Sequence, residues 1–188
     1  MTNETIKKWI IRSVIGLFVL IMILIAKPFV LIGAGERGIV LKMGAVQDRI
    51  LGEGFQWRKP FLEKVVTIDV RTHKIEVDAE SFSKDLQNVE TKIALNYHLD
   101  PTHVNKLWQE IGSDYSDRII SPAIQESLKA ATASFTAAEL VVERPKVKDE
   151  IKRLLMERLH RSYIQVDDFS IVNFDFSNSY QEAIEAKQ

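Results

Sequence analysis

From Ser13 to Ala26 the chain reads SVIGLFVLIMILIA, fourteen residues without a charge, nine of them Val, Ile or Leu. No other stretch narrows the possible folds as much, because a helix that is apolar all round has no face to show to water. Fourteen helical residues rise about 21 Å, short of a hydrocarbon core of about 30 Å, so a membrane span has to draw on both flanks. Trp9, Ile10 and Ile11 extend it on one side, with Arg12 able to snorkel to the headgroups. Lys27 can do the same on the other side, where Phe29 to Ile32 continue the apolar character beyond Pro28. The sequence predicts a single membrane anchor over residues 9–32, carried by Trp9, Arg12, Leu17, Phe18, Leu20, Ile23 and Lys27, after a basic tail over 1–8.

Three other readings of the stretch are open. A cleaved signal peptide also shows a basic start (Lys7, Lys8, Arg12) and an apolar core of this length, although Ile32 and Ala34 make a poor cleavage signal. Pro28 removes a helical N–H and could turn the segment back within one leaflet. A buried core helix is the third, disfavoured by the terminal position and the basic neighbours.

Of the 188 residues, about 150 remain beyond the anchor, enough for one ordinary domain or two small ones. The whole chain has a net charge of −1, but residues 1–35 carry Lys7, Lys8, Arg12 and Lys27 against Glu4, which leaves −4 on the remainder. An acidic domain of this kind is no nucleic-acid binder. Cysteine is absent, which removes disulfides, thiolate nucleophiles and Cys-based metal sites. Basic residues before the span favour an N-terminus on the cytoplasmic or matrix side, with the main domain opposite; Lys27, Arg37 and Lys42 weaken that asymmetry.

After Gly33 the chain changes to short alternating strands punctuated by glycine. Ile39, Leu41 and Met43 alternate with Gly38, Val40 and Lys42, and Gly52-Glu53-Gly54 marks a turn. Val66, Ile68 and Val70 share one face of a further strand. Ile75, Val77 and Ala79 oppose Lys74, Glu76, Asp78 and Glu80 in the next. The longest alternation sets Val89, Thr91, Ile93, Leu95, Tyr97 and Leu99 against Glu90, Lys92, Asn96 and His98. An antiparallel sheet with one solvated face follows.

Helices come next. Asp100 is placed to cap and Pro101 to open a helix ending at Gly112, with Val104, Leu107, Trp108 and Ile111 on one face. A second runs from about Asp114 to Ala133, kinked or restarted at Pro122, with Ile120, Ala123, Ile124, Leu128 and Ala131 inward. Thr136 to Glu139 is a capping box. Pro145 restarts a helix with Val147, Ile151, Leu154, Leu155 and Leu159 as its stripe and Asp149 and Arg153 spaced as an ion pair. A last strand, Ile164 to about Phe174, precedes another capping box at Ser179 to Glu182 and the opening of a further helix.

This order of parts resembles the SPFH family (stomatin, prohibitin, flotillin and the HflK/HflC pair), and among them the prohibitin-like members. The residues that carry the resemblance are Gly35-Glu36-Arg37-Gly38-Ile39-Val40, Gly52-Glu53-Gly54-Phe55 with Pro60, and Ile68-Asp69-Val70-Arg71. Further on they are Tyr97-His98-Leu99-Asp100-Pro101, Phe135 to Leu140, and Ala183 to Gln188, which looks like the start of the family's long helix. Two departures stand out: Arg161-Ser162-Tyr163-Ile164 lacks the glycine common before the last strand, and the long coiled-coil region expected after Gln188 is not within the sequence. The resemblance implies an α+β fold: an SPFH (Band 7) domain over 33–176, divisible at 85/86, followed by the start of a coiled-coil helix over 177–188. Ile184 is its candidate oligomer contact.

What the family implies is a scaffold. Its members assemble side by side into rings or cages on a membrane, as homo-oligomers or with a paralogue, organise lipid microdomains and regulate membrane proteins, notably an FtsH-class AAA protease. Expected partners are therefore membrane lipids, a second copy or paralogue, and such a protease, in a bacterial or mitochondrial inner membrane.

No residue pattern argues for catalysis. Gly33-Ala34-Gly35-Glu36-Arg37-Gly38 matches the dinucleotide fingerprint letter by letter, but it follows an apolar segment and opens a strand, whereas phosphate binding needs a helix N-terminus after it. A flexible joint between membrane and domain is the favoured role. His98 and His103 flank the Asp100-Pro101 turn without a third ligand at metal spacing, and His73 and His160 sit at ordinary polar positions. Asp167 and Asp168, adjacent on a strand, point to opposite faces and cannot share a substrate. No cofactor, metal or catalytic residue is expected, and the chain is read as no enzyme.

Phe55, Trp57, Pro60 and Phe61 form the one apolar cluster outside the periodic pattern. Core of the sheet is the favoured reading. The alternative is that Phe55, Trp57 and Phe61 touch the membrane surface near Arg58 and Lys64. A membrane adaptor that binds a partner protein without forming rings is the second functional reading.

Overall fold

The computed structural model describes residues 3–176, with side chains for all of these except 3–6, 19, 20, 23–25 and 173–176. The expected helix from Ser177, its capping box and Ile184 lie outside the described residues. The chain divides into two units, the first ending at Ile68 and the second beginning at Asp69. The expected boundary at 85/86 falls instead inside a continuous hairpin.

The first unit opens with α1 (Asn3–Ala26), a single helix of 24 residues. It stops because Lys27 takes a left-handed φ of 42° and Pro28 cannot continue a helical ladder. The expected helical span to Ile32 is thereby shortened, and Phe29–Ile32 form a strand, β1. Among the described residues no helix is long and apolar enough to cross a membrane. Trp9, Ile10, Ile11, Val14, Ile15, Leu17 and Phe18 are all exposed on α1.

β1 pairs antiparallel with β4 (Gly54–Trp57). A second sheet orders β2 (Glu36–Lys42) between β3 (Ala45–Leu51) and β5 (Glu63–Asp69). The alternation expected for β2 fails, because the register slips between Ile39 and Leu41, so that Ile39 and Val40 are both buried and Met43 is left exposed in the turn. The core of this unit is small: Ile32, Val40 and Leu51, with Val30 and Val65 packed against them.

In the second unit β6 (His73–Phe82), β7 (Asn88–Leu99) and β8 (Ile164–Phe176) form an antiparallel sheet with β7 in the centre. The odd-numbered residues of β7 from Val89 to Leu99 are buried and the even-numbered ones are not, as the alternation predicts. Helices cover the buried face. α2 (Val104–Glu110) starts a turn later than expected, since Asp100 caps the preceding turn by accepting from Thr102 N–H at 2.9 Å. A π-helical turn, Ser116–Ile120, runs directly into α3 (Ser121–Thr132). The wider turn accommodates Pro122, which lacks an N–H and crowds the carbonyl four residues back. The capping box forms at α4 (Ala137–Val142), where Thr136 Oγ1 accepts from Glu139 N–H and Glu139 accepts from Thr136 N–H at 2.8 Å. α5 (Arg144–His160) buries Val147, Ile151, Leu155 and Leu159 as predicted, with Leu154 half-buried. Arg153 pairs with Glu150 at 2.7 Å, not with Asp149, because the i, i+3 carboxylate reaches it first.

Tyr163, in the segment before β8 that lacks a glycine, takes a left-handed φ of 61°. Its ring stacks on His103 at 5.2 Å and lies under Lys106 Nζ, contacts that offset the left-handed backbone.

Candidate membrane interface

Four residues of the β1–β4 ribbon face outward. Period-two alternation sends Val30 and Ile32 into the core and leaves Phe29 and Leu31 outside, opposite Trp57 and Phe55 in the register. Phe29 stacks on Phe55 at 5.4 Å, and Phe55 meets Trp57 edge to face at 5.5 Å. All four are at least half exposed, Leu31 at 75%. The core reading of Phe55, Trp57 and Phe61 is thus overturned: Phe55 is 55%, Trp57 64% and Phe61 82% exposed. The inward places of this ribbon are taken by Val30 and Ile32 of β1 and by Gly54 and Gln56 of β4.

A second apolar point forms where two turns meet. Met43 N–H donates to the Leu62 carbonyl at 3.0 Å, which holds the exposed Met43 beside exposed Leu62 and its neighbour Phe61. Met43 and Phe61 have φ of 50° and 65°, a left-handed backbone that is costly for residues with a side chain. Large apolar side chains held in water in this way mark an interaction surface.

Arg58 organises the polar side of the site. Its backbone N–H donates to the Pro28 carbonyl at 2.9 Å, its Nε to the Lys27 carbonyl at 3.1 Å, and its Nη1 to the Glu63 carbonyl at 3.2 Å. The joint after α1 is therefore tied to the β4–β5 connection. Glu63, with its side chain nearly buried, accepts from Lys59 N–H and from Arg49 at 3.0 Å. Lys64, next to it, is exposed.

The glycine-rich stretch, expected as a joint, forms a hydrogen-bonded turn between β1 and β2. Glu53 accepts from Gly35 N–H at 3.2 Å and from Arg37 Nη1 at 2.9 Å, and the Arg37 hydrogen bond is the main reason its carboxyl is held below the usual range. Gly38 is required for close packing: a Cβ there would lie 2.5 Å from Ile32 Cδ1 and 3.0 Å from Leu51 Cβ. β2 follows, so there is no helix N-terminus for a phosphate.

Among the anchor residues, Trp9, Arg12, Leu17, Phe18 and Lys27 are exposed, while the side chains of Leu20 and Ile23 lie outside the described set. The histidines do not converge. His98 Nδ1 lies 2.7 Å from Asp167, and His103 Nδ1 2.7 Å from Asp100. Among the described residues no group of three His, Asp or Glu could hold a metal. A bulge at Asp167 corrects its expected geometry. Asp168 is opposite Asn96, Asp167 is extra to the register, and both carboxylates are exposed, Asp167 accepting also from Thr72 Oγ1 at 2.8 Å.

Sequence reasoning read Phe29 and Leu31 as a continuation of the anchor helix, where they form a strand, and did not single out Met43 and Leu62. The signal for the first two was Pro28, which ends a helix and allows the next four residues to be read at period two.

The fold is an α+β arrangement of short antiparallel sheets with helices covering one face, preceded by an apolar helix, and its parts follow the order of a membrane-associated SPFH domain. Residues 30–188 match the model of the SPFH domain / Band 7 family, and the chain belongs to that family. It is similar to "Prohibitin-1, mitochondrial" of Arabidopsis thaliana, 34% identical over 157 residues, covering 82% of this chain and 54% of that protein. Prohibitin-2 of Gallus gallus is 31% identical over 160 residues (84% and 53%), and Prohibitin-1 of Saccharomyces cerevisiae 30% over 155 residues (82% and 54%). The chain spans about half the length of the curated relatives it matches.

Proposed function

We propose that this chain is a membrane-bound scaffold of the prohibitin kind, held at the membrane by α1 and by the outward face of β1–β4. It assembles side by side with copies of itself or with a paralogue into a ring or cage. The observation that carries the reading is the exposed Phe29, Leu31, Phe55 and Trp57 face, which begins three residues after an apolar helix ends. Aromatic side chains beside Arg58 and Lys64 suit the headgroup layer, where apolar rings and basic groups are both satisfied. The described part of α1 is not by itself a crossing helix, and the anchor rests on its sequence. Its 24 residues reach about 36 Å at the helical rise, its last fourteen are uncharged, and Arg12 and Lys27 stand at either end of the apolar run. Family membership supports the scaffold role, with membrane lipids as partners and an FtsH-class membrane protease as the enclosed protein. The membrane is a bacterial or mitochondrial inner membrane, and no catalytic role is assigned to the chain.

Two measurements test this. Alkaline extraction of the native membrane leaves an integral anchor in the pellet, whereas a peripheral protein is released. Native gels and particle imaging after mild detergent extraction then give the mass: a megadalton ring or cage is expected, and a monomer or small complex would discard the cage in favour of an adaptor.

A further inference from the structure

The two edges of the β6–β7–β8 sheet are unlike. β8 carries two register shifts, which leave Asp167 and Val172 unpaired, and Arg144 Nη2 donates to the carbonyls of Ile171 and Val172 at 2.8 and 3.2 Å. Bulges and a capping side chain are devices that keep another strand from adding. β6 has neither. It pairs with β7 without interruption from His73 to Phe82, and among the described residues no strand lies on its other side. In an antiparallel ladder, alternate residues of such an edge strand turn their N–H and C=O groups away from the partner. α3 packs along β6, and between them lies a groove of about 670 Å³, lined by Asp78, Glu80, Ser81 and Phe82 of the strand and Gln125 and Lys129 of the helix.

Two features of the groove ask for a polar, positively charged occupant. Ser81 is 3% exposed, and its Oγ has no hydrogen-bond partner among the described residues. A buried hydroxyl without a partner is costly. On the open face, Glu80 stands directly opposite Glu90, a like-charge cross-strand pair that destabilises a sheet. Lys74 answers Glu76 at 2.7 Å and Lys92 reaches Asp78 at 3.6 Å, but neither Glu80 nor Glu90 has an ion pair among the described residues. Lys129 on the helix side is answered by Glu126 at 3.7 Å and adds no net charge to the rim.

We propose that the free edge of β6, together with α3, takes up an extended segment of a partner polypeptide by strand addition, one in which basic residues alternate with small apolar ones. The backbone of the segment completes the ladder. Its basic residues fall on the open face beside Glu76, Asp78 and Glu80, and its small residues fall between β6 and α3, where a polar backbone atom can reach Ser81 Oγ. The inference is independent of the membrane reading, since every residue in it belongs to the second unit.

The test uses the full chain in detergent and a labelled peptide of alternating Lys and Val, with an alternating Glu and Val peptide as its opposite. Saturable binding of the basic peptide by fluorescence anisotropy is expected, with slowed amide hydrogen exchange confined to residues 73–82. The triple variant Glu76→Lys, Asp78→Lys, Glu80→Lys should bind the basic peptide at least about tenfold more weakly and should gain binding of the acidic one with the same slowed exchange over residues 73–82, which an unfolded variant would not show. Absence of binding, indifference to the charge reversal, or protection elsewhere would overturn the proposal. So would protection of β6 that rises with protein concentration alone, which would assign the edge to a second copy.

Discussion

In the second unit most of the large apolar side chains are inside and the charges outside, with Phe82, Leu86, Val141 and Val142 among the exceptions. Ile93, Leu95, Leu99, Ile124, Leu128, Ile151, Leu155 and Phe169 are fully buried beneath one face of a three-stranded sheet. In the first unit the buried apolar residues are few, Ile32, Ile39, Val40, Leu51 and Ile68, while Phe29, Leu31, Met43, Phe55, Trp57 and Phe61 are left in the open. The same chain therefore treats apolar surface in two ways. One unit buries most of its large apolar groups in a core of its own, and the other leaves several of its largest in the open.

The largest effect expected of a single substitution falls in the second unit. Leu128→Ala removes a fully buried side chain from α3 and should cost about 2–5 kcal/mol in denaturant unfolding. In the smaller core of the first unit the sensitive change is an addition: Gly38→Ala forces Ile32, Leu51 and Val65 apart and should cost about 1–3 kcal/mol. If Gly38→Ala proves neutral, the first unit is too loosely packed for its core to set the position of the aromatic face.

The exposed face separates stability from binding. Phe55→Ser with Trp57→Ser should change unfolding by less than about 0.5 kcal/mol per site, as is usual for surface positions, yet lower partition onto anionic vesicles by about tenfold or more. Lost folding with unchanged partition would return these residues to the core. Alkali should act through the second unit. Burial, ahead of the neighbouring Tyr115, pushes the Tyr97 hydroxyl from its ordinary 10.0 up to about 12. Its neutral form is favoured in the folded state, so its contribution is complete below about pH 10 and is lost as pH rises toward 12. Tyr97→Phe should flatten that part of the stability profile. The smallest effects sharpen the contrast most cleanly. Met43→Gly and Leu86→Gly both relieve a left-handed backbone at an exposed residue, and each should stabilise by up to about 1 kcal/mol. Only Met43→Gly, in the first unit, should also weaken vesicle binding.

Most of the second unit was legible in the sequence, because its strands and helices bury one face and expose the other. The alternation over Val89 to Leu99, the stripes Ile120 to Ala131 and Val147 to Leu159, and the box at Thr136 to Glu139 each translate directly into an element. Its misreadings are local competitions: Asp100 capping a turn before α2, a π-turn making room for Pro122, Glu150 reaching Arg153 ahead of Asp149. The first unit was less legible for a single reason. Period-two and period-3.6 patterns announce burial against the protein's own core, and Phe29, Leu31, Phe55 and Trp57 face away from it. A register slip at Val40 and left-handed turns at Met43 and Phe61 come from packing and closure, which leave no periodic trace.

The joint after α1 is short and stiff. Only Lys27 and Pro28 separate helix from strand, and Arg58 grips both of their carbonyl groups while its guanidinium also holds Glu63. Such a joint has no slack, so a pull on the helix arrives at β4 and β5 as a load instead of being absorbed in a tether. On the proposed reading of α1 as a membrane anchor, a tilt of the helix would be passed to the base of the aromatic face.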